Sequence, residues 1–352
     1  MKLSYLLIPS FFFVNASAAR TSLRRMAKAG KGDPCVDTFI IDRAESKIEN
    51  HQEANVCAGK GVSLTSLVCV NMDPGHPQAG GNVTKGFQGS YEMSGIQPLT
   101  TMFHLVAGMC PVNVHWHLGT EHYSYGQYDE NGNGPNGNIP RPEWADSVRR
   151  LQNEEPGFRC HHYNPSDPKF TKEYEWKHCL NMEVGETYEV HWPHSVAGDC
   201  GTPNQYQEPF KDGVFCHLTL EQLNSLTAQE VANSVGVQSQ VFTIVNDEAY
   251  FYPDMIRGMI IDGEMGSDVA HYTGSTTGTS VDNNVCSPYS PISWQVDRKC
   301  HLISASSFDK LCYDMKMQRD DMSNDLHPHG SRELVKDDLV ANNMQRKAQG
   351  ES

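Results

Sequence analysis

Apolar residues of the chain occur in short segments separated by polar turns. Between residues 35 and 314 these segments are rich in Val, Ile, Thr and aromatic residues, and Gly, Pro and Asn lie between them. Such a pattern is typical of β-strands bounded by turns. It predicts strands at 102–105, 112–118, 187–192, 214–220, 240–245 and 292–296. The pattern therefore predicts a mainly β domain with a few short helices.

Helical and irregular segments complete this pattern. Helices are predicted at 144–152 and 220–233, and the Gly-, Asn- and Pro-rich stretch 126–142 predicts a long surface loop. The last segment, 315–352, is polar and mixed in charge, and it contains His327-Pro328-His329. Because this tail offers little apolar surface to bury, we expect it to lie outside the domain at 35–314.

The first residues have the pattern of a secretory signal peptide. A positive start, an apolar run over 3–14 and the small residues Ala16-Ser17-Ala18 predict a signal at 1–18. The basic stretch 19–34 is either a disordered leader or a second targeting segment. No later apolar run has the length of a membrane span, so the mature chain is predicted to lack one. The expected location is the secretory pathway, outside the cell or in an endomembrane or plastid-associated compartment.

The cysteine content bears on the compartment of the protein, and the net charge bears on its binding partners. The eleven cysteines all follow the signal peptide, and none forms a CxxC motif. In an oxidising compartment most should form disulfides, and an odd number leaves at least one without an intrachain partner. Asn82 begins an N-glycosylation acceptor. The net charge of −15 makes nucleic acid an unfavourable partner.

The richest cluster of chemical groups lies at residues 113–122, NVHWHLGTEH. Alternate residues of a β-strand point to the same face, so His115 and His117 can direct both imidazoles at one point. Neutral imidazole is a favoured zinc ligand, and catalytic zinc usually takes three protein ligands. The pair therefore predicts a metal site that needs a third ligand.

Two histidines could supply the third ligand. His122 could reach the same metal if the chain turns at Gly119-Thr120. His191 lies in the alternating segment Glu189-Val190-His191-Trp192, which predicts a neighbouring strand. Glu189 would share the face of His191 and could accept the second N–H of an imidazole, which fixes its tautomer.

The stretch 110–124, CPVNVHWHLGTEHYS, resembles the signature of the δ-class carbonic anhydrases of marine microalgae. The similarity extends over most of residues 60–314, with a more distant resemblance to the α-class carbonic anhydrases. The α class has a His-x-His, a Ser-Glu-His, a Glu-x-His, a Gly-Ser-Leu-Thr-Thr-Pro turn and a Trp-bearing strand in this order. Here the turn reads Gly274-Ser275-Thr276-Thr277, without the leucine and the proline.

The resemblance implies a set of site residues. His115, His117 and His191 correspond to the zinc ligands, and Glu189 to an acceptor behind them. Glu121 corresponds to the carboxylate that orients a gate threonine. The remaining implied positions are Thr276 or Thr277 as the gate, Ile292 and Trp294 as the apolar wall, His122 as a structural neighbour, and Cys286 paired with Cys57 or Cys69.

The resemblance also implies activity and architecture. It implies reversible hydration of CO₂ to bicarbonate and a proton by attack of a zinc-bound hydroxide, with Co²⁺ or Cd²⁺ as conceivable substitutes for Zn²⁺. A single domain around a large, twisted and mostly antiparallel sheet, as in the α class, is the implied fold. A histidine whose pKa is near neutrality would carry the proton to solvent. The candidates are His104, His122 and His194.

Two other interpretations are open at this stage. His115, His117 and Glu121 have the spacing of a cupin motif, in which two imidazoles and a carboxylate bind Mn or Fe. The glycines flanking that motif are off the cupin spacing, and a second motif with its own histidine is missing. A secreted, disulfide-rich binding protein without enzymatic activity would explain the cysteines and Asn82. It would not explain the ordered histidine motifs.

Overall fold

The computed structural model describes residues 55–58, 104, 107–137, 157–275, 291–318, 322–323 and 325–330. Several predicted features lie outside these residues. They are the signal peptide and leader at 1–34, the helix at 144–152, Asn82, Cys69, Thr276, Thr277 and Cys286. Of the strand predicted at 102–105, only His104 is described.

The described residues are mainly β, as the sequence predicted. The strands in chain order are Cys110–Pro111 (β1), His115–Leu118 (β2), Tyr128–Asp129 (β3), Arg159–Cys160 (β4), Thr187–Ser195 (β5), Val235–Val245 (β6), Val269–Ser275 (β7), Pro291–Ser304 (β8) and His329–Gly330 (β9).

Seven of these strands form one sheet in the order β7-β8-β6-β5-β2-β9, and β1 also pairs with β5. The pairs β6–β8 and β2–β9 are parallel, whereas the other pairs are antiparallel. The sheet is therefore mixed, and the expected mostly antiparallel, α-class-like architecture is not confirmed. The predicted strands at 187–192, 240–245 and 292–296 are confirmed as parts of β5, β6 and β8.

Both faces of the sheet are covered. All residues of β5 and β6 are buried, so other parts of the protein cover both faces of these two strands. One face carries an apolar cluster that includes Val237, Ile292 and Trp294. The opposite face carries a larger cluster that includes Trp116 and Trp192. A polar group on either face is therefore surrounded by apolar side chains and needs its own partner.

Among the described residues, four α-helices connect and cover the strands. They are Phe210–Val214 (α1), Leu220–Ser225 (α2), Ala228–Ser234 (α3) and Ala305–Lys316 (α4). The strand predicted at 214–220 is wrong, because this segment contains the end of α1, a turn and the start of α2. The helix predicted at 220–233 is two helices, since Thr219 and Thr227 each form a capping box and so start a new helix.

The predicted surface loop at 126–142 is partly built into the fold. Tyr128 of β3 is fully buried, and its hydroxyl donates to the Asp297 carbonyl at 2.9 Å. A Cβ at Gly132 would lie 1.8 Å from the Arg159 carbonyl oxygen, so this position accepts only glycine. Close backbone approach therefore accounts for part of the glycine content of the described stretch 126–137.

Part of the predicted C-terminal tail also lies in the fold. Helix α4 continues to Lys316, and β9 pairs in parallel with β2, placing His329 opposite His117. Leu326 is buried, and its carbonyl accepts a hydrogen bond from Leu180 N–H at 2.8 Å. These few contacts bring polar residues of the tail beside strand β2, which carries His115 and His117.

Disulfides join distant parts of the described chain. They are Cys57–Cys216, Cys110–Cys200, Cys160–Cys300 and Cys179–Cys312. The pairing considered for Cys57 with Cys286 is therefore wrong, because Cys57 is bonded to Cys216. The alternative partner Cys69 is outside the described residues. None of the described helices is long and apolar enough to span a membrane.

Replacing Cys110 and Cys200 together by serine should lower the free energy of unfolding by about 2–4 kcal/mol, because a long loop would no longer be closed in the unfolded chain. The two cysteines are 90 residues apart in sequence. Urea unfolding of the oxidised wild type and the double variant measures the difference. Superimposable unfolding curves would contradict this assignment of the bond.

Candidate metal centre

The pairing of β2 with β5 brings the sequence-predicted histidines together. His115 lies opposite His191, and His117 lies opposite Glu189. Paired residues of neighbouring strands point to the same face, so the three imidazoles and the carboxylate share one face of the sheet. Two separate strands therefore contribute to a single site.

The three imidazoles are close enough to share one ion. One ring nitrogen from each of His115, His117 and His191 lies within 4.8 Å of the others. The ring centroids of His117 and His191 are 4.8 Å apart, and those of His115 and His191 are 5.4 Å apart. His117 and His191 are buried, and His115 is half-buried. The cluster thus has a closed side and a more open side at His115.

Hydrogen-bond acceptors determine which nitrogens of His115 and His117 carry lone pairs. His115 Nδ1 lies 2.9 Å from Asn113 Oδ1, and the Asn113 amide nitrogen donates to the Gln207 carbonyl, which fixes the amide orientation. His117 Nδ1 lies 3.3 Å from the carbonyl oxygen of Gly330. Since both partners only accept, each Nδ1 carries the proton and each Nε2 has the lone pair that a metal requires.

Glu189 is the buried centre of the hydrogen bonds behind the histidines. Its Oε2 accepts from Glu121 N–H at 2.7 Å, and its Oε1 accepts from Ser239 Oγ at 2.8 Å. The same Oε1 contacts His122 Nδ1 and lies 3.3 Å from His191 Nε2. The carboxylate therefore contacts both imidazoles and accepts a hydrogen bond from the turn of backbone at Glu121.

The charge of Glu189 depends on the two imidazoles. Burial by itself raises the pKa of this carboxyl, but the His122 and His191 rings and their contacts outweigh burial and hold its pKa well below the ordinary value. Glu189 is therefore ionised at neutral pH although it is fully buried.

A second group of possible ligands overlaps the first. Nitrogens of His122 and His191 and an oxygen of Glu189 also lie within 4.8 Å of one another. In this group the carboxylate is already occupied by donors from Glu121 and Ser239. Three imidazoles, with the lone pairs of His115 and His117 oriented, fit a zinc ion better than a set that includes this saturated carboxylate. The donor set of His115, His117 and His191 therefore fits zinc.

A family model for delta carbonic anhydrase matches residues 106–307. The chain belongs to the delta carbonic anhydrase family. No curated protein and no solved structure matches it. The matched range includes the whole of β2, β5, β6 and β8, and so contains all three histidines of the cluster.

Glu121 lies behind the histidine pair. Its side chain is buried, and Oε1 is 3.5 Å from His117 Nδ1. Glu121 belongs to none of the three possible metal groups found among the described residues, which disfavours the cupin-type set of His115, His117 and Glu121. Thr276, the predicted partner of Glu121, lies outside those residues.

Trp294 borders the histidine cluster. Its ring centroid is 5.3 Å from that of His191 and 4.9 Å from that of His122. Ile292 is two residues earlier on β8, faces the same side and is buried in the same apolar cluster. The indole of Trp294 thus places apolar surface beside the imidazoles.

Two of the suggested proton carriers, His104 and His194, lie away from the histidine cluster. His194 is an odd number of residues from His191 on β5 and so faces the opposite side of the sheet. Its ring is 5.2 Å from that of His104. Burial lowers the pKa of His194 to about 4. Burial also lowers the pKa of His104 well below its ordinary value, and the neighbouring His194 and His271 rings lower it further. Both rings are neutral at neutral pH, on the face away from the cluster.

Sequence reasoning missed several contributors to the cluster. Asn113 is two residues before His115, and this spacing on an extended chain was a usable signal for a shared face. Ser239 and Gly330 reach the cluster only through strand pairing, so no local pattern indicated them. His329 stacks on His115 with ring centroids 5.3 Å apart, which the polar composition of the tail did not indicate.

Replacing Glu189 by glutamine should weaken zinc binding about 10- to 100-fold, because an amide presents a donor where the carboxylate accepts from histidine or backbone. Zinc competition with a chromophoric chelator measures the affinity. Glu183→Gln is the matched control, since this carboxylate is exposed and contacts Asn136. Equal zinc affinities in the two variants would argue against a role of Glu189 in positioning the metal-binding histidines.

Proposed function

We propose that this protein catalyses the reversible hydration of CO₂ to bicarbonate and a proton, with a zinc ion held by His115, His117 and His191. The supporting observation is the convergence of three imidazole nitrogens within 4.8 Å in a member of the delta carbonic anhydrase family. Co²⁺ and Cd²⁺ are further ions that this donor set could accept.

The proposed chemistry depends on neutral ligands. In such a site a bound zinc would supply hydroxide at neutral pH, because zinc lowers the pKa of its bound water to about 7, an effect for which carbonic anhydrases are the reference case. The acceptors Asn113 Oδ1 and Gly330 O keep the Nε2 atoms of His115 and His117 unprotonated. Three imidazoles complete the proposed ligand set, so Glu189 is not a ligand. Its negative charge therefore does not bind the metal directly and lies behind the imidazoles.

The apolar wall suits the substrate. CO₂ has no net dipole and only weak hydrogen-bonding capacity, so a pocket that binds it gains from apolar contact and loses from ordered water. Trp294 offers such a surface next to His191, and we propose that Ile292 extends it. The more exposed side of His115 would leave a path for substrate and product.

We propose that Glu121 orients the hydroxyl of Thr276, with Thr277 as the alternative. Strand β7 ends at Ser275, one residue before this threonine, and Glu121 is buried behind His117. A threonine hydroxyl can donate to a carboxylate and accept from a second group, so it would fix the direction of an attacking oxygen.

The cellular location is also a proposal. The four disulfides of the described chain are compatible with an oxidising compartment, such as the one that a signal peptide at 1–18 would give access to. Glycosylation at Asn82 and a contribution to concentrating inorganic carbon would follow from the same route.

His191→Ala should lose one equivalent of tightly bound zinc and reduce CO₂ hydration to the background rate, because only two imidazoles remain. His122→Ala should keep most of its zinc, since this ring contacts Glu189 and serves as a structural neighbour. Elemental analysis and stopped-flow CO₂ hydration measure the two effects.

The reverse pattern, with metal retained in His191→Ala and lost in His122→Ala, would replace the ligand set by the group of His122, Glu189 and His191. Full metal content without CO₂ hydration in the wild type would contradict the proposed reaction itself. Metal identification also separates this proposal from a Mn or Fe enzyme of the cupin type.

Thr276→Val should lower kcat for CO₂ hydration about 10- to 100-fold with little change in zinc content, because only the orientation of the attacking group is lost. Thr277→Val is the matched control and should leave kcat close to that of the wild type. A larger effect in Thr277→Val would assign the gate to the second threonine.

A further inference from the structure

Three possible metal ligands alternate along a short segment near the C-terminus. Asp325, His327 and His329 are each separated by one residue. One donor atom from each lies within 4.8 Å of the others. The His327 and His329 rings are 5.6 Å apart. This cluster is separate in sequence from the three histidines described above.

The fold fixes this segment in place. The intervening Leu326 is buried in the core, and its carbonyl accepts a hydrogen bond from Leu180. His329 begins β9 and is paired with His117 of β2. Both ends of the cluster are therefore attached to the sheet, and the three side chains do not depend on a free tail to meet.

Asp325 has a buried oxygen that lacks a partner. The residue is 5% exposed, and its Oδ1 contacts His329 Nε2. Its Oδ2 is buried and has no hydrogen-bond partner among the described residues. An unpaired buried carboxylate oxygen is costly, and a cation is the kind of group that offsets this cost. The orphaned oxygen is thus an independent indication of a bound cation.

We propose that Asp325, His327 and His329 form a second divalent-metal site. Two imidazoles and one carboxylate are a donor set that zinc and similar transition metals accept. His327 and His329 are half-exposed, so the ion should exchange more readily than one held by the buried imidazoles.

The second site lies next to the first. His329 stacks on His115 with an interplanar angle of 12°, so one imidazole from each site forms the boundary between them. Gly330, which follows His329, accepts from His117 Nδ1. A metal on the C-terminal segment would therefore fix the conformation of residues 325–329 beside the strand that carries the histidine pair. Its presence does not require the reaction proposed above.

Equilibrium dialysis against Zn²⁺ tests the proposal on the full mature chain. The wild type should bind two equivalents, and His327→Ala and Asp325→Asn should each bind one. His191→Ala should also bind one, and the combined His191→Ala and His327→Ala variant none. The matched control is His217→Ala, because His217 belongs to an exposed pair with Asp199, at 3.1 Å, and should leave both equivalents.

One equivalent in the wild type that His191→Ala removes and His327→Ala retains, or two equivalents retained in both His327→Ala and Asp325→Asn, would overturn the second site. Loss of both equivalents in His327→Ala, with an unchanged thermal transition, would also overturn it, because a single shared site would then be at work. Failure of the proposed reaction is distinguishable, since it would appear as absent CO₂ hydration while the zinc count still falls from two to one in these variants.

Discussion

The antiparallel register between β2 and β5 is the constraint on which the candidate metal centre depends. It sets His115 opposite His191 and His117 opposite Glu189. Because side chains alternate along a strand, a slip of one residue would turn His115 and His117 towards the apolar cluster on the opposite face of the sheet. The same slip would bring Trp116 to the face that carries the histidines. The burial of Trp116 and Trp192 on the other face therefore stabilises the register that the histidines need.

The buried carboxylate of Glu189 connects the register to the electrostatics. An ionised carboxylate in this position is tolerated because four groups face it, from Glu121, His122, His191 and Ser239. Ser239 comes from β6 and the Glu121 amide from the turn after β2, so three parts of the chain are tied to one charge. Loss of any donor would leave part of a buried charge unpaired.

The return of the C-terminal segment completes the edge of the sheet. Strand β9 covers β2, which would otherwise present an open edge, and it supplies the Gly330 carbonyl to His117. Disulfides act over longer distances, as Cys160–Cys300 joins β4 to β8. The edge strand and the crosslinks thus constrain the same sheet from different directions, and the histidine strand lies between them.

The sequence alone determined that His115 and His117 share a face, that Glu189 and His191 share another strand's face, and that the domain is mainly β, because period-two alternation is a local property of extended chain. Tertiary structure decided the rest. Strand order, the parallel pairing of β9, the capped helices in place of a strand at 214–220 and the roles of Ser239, Gly330 and His329 all depend on contacts between residues distant in sequence. No local pattern encodes which strands pair, since the backbone groups that pair them are the same at every position.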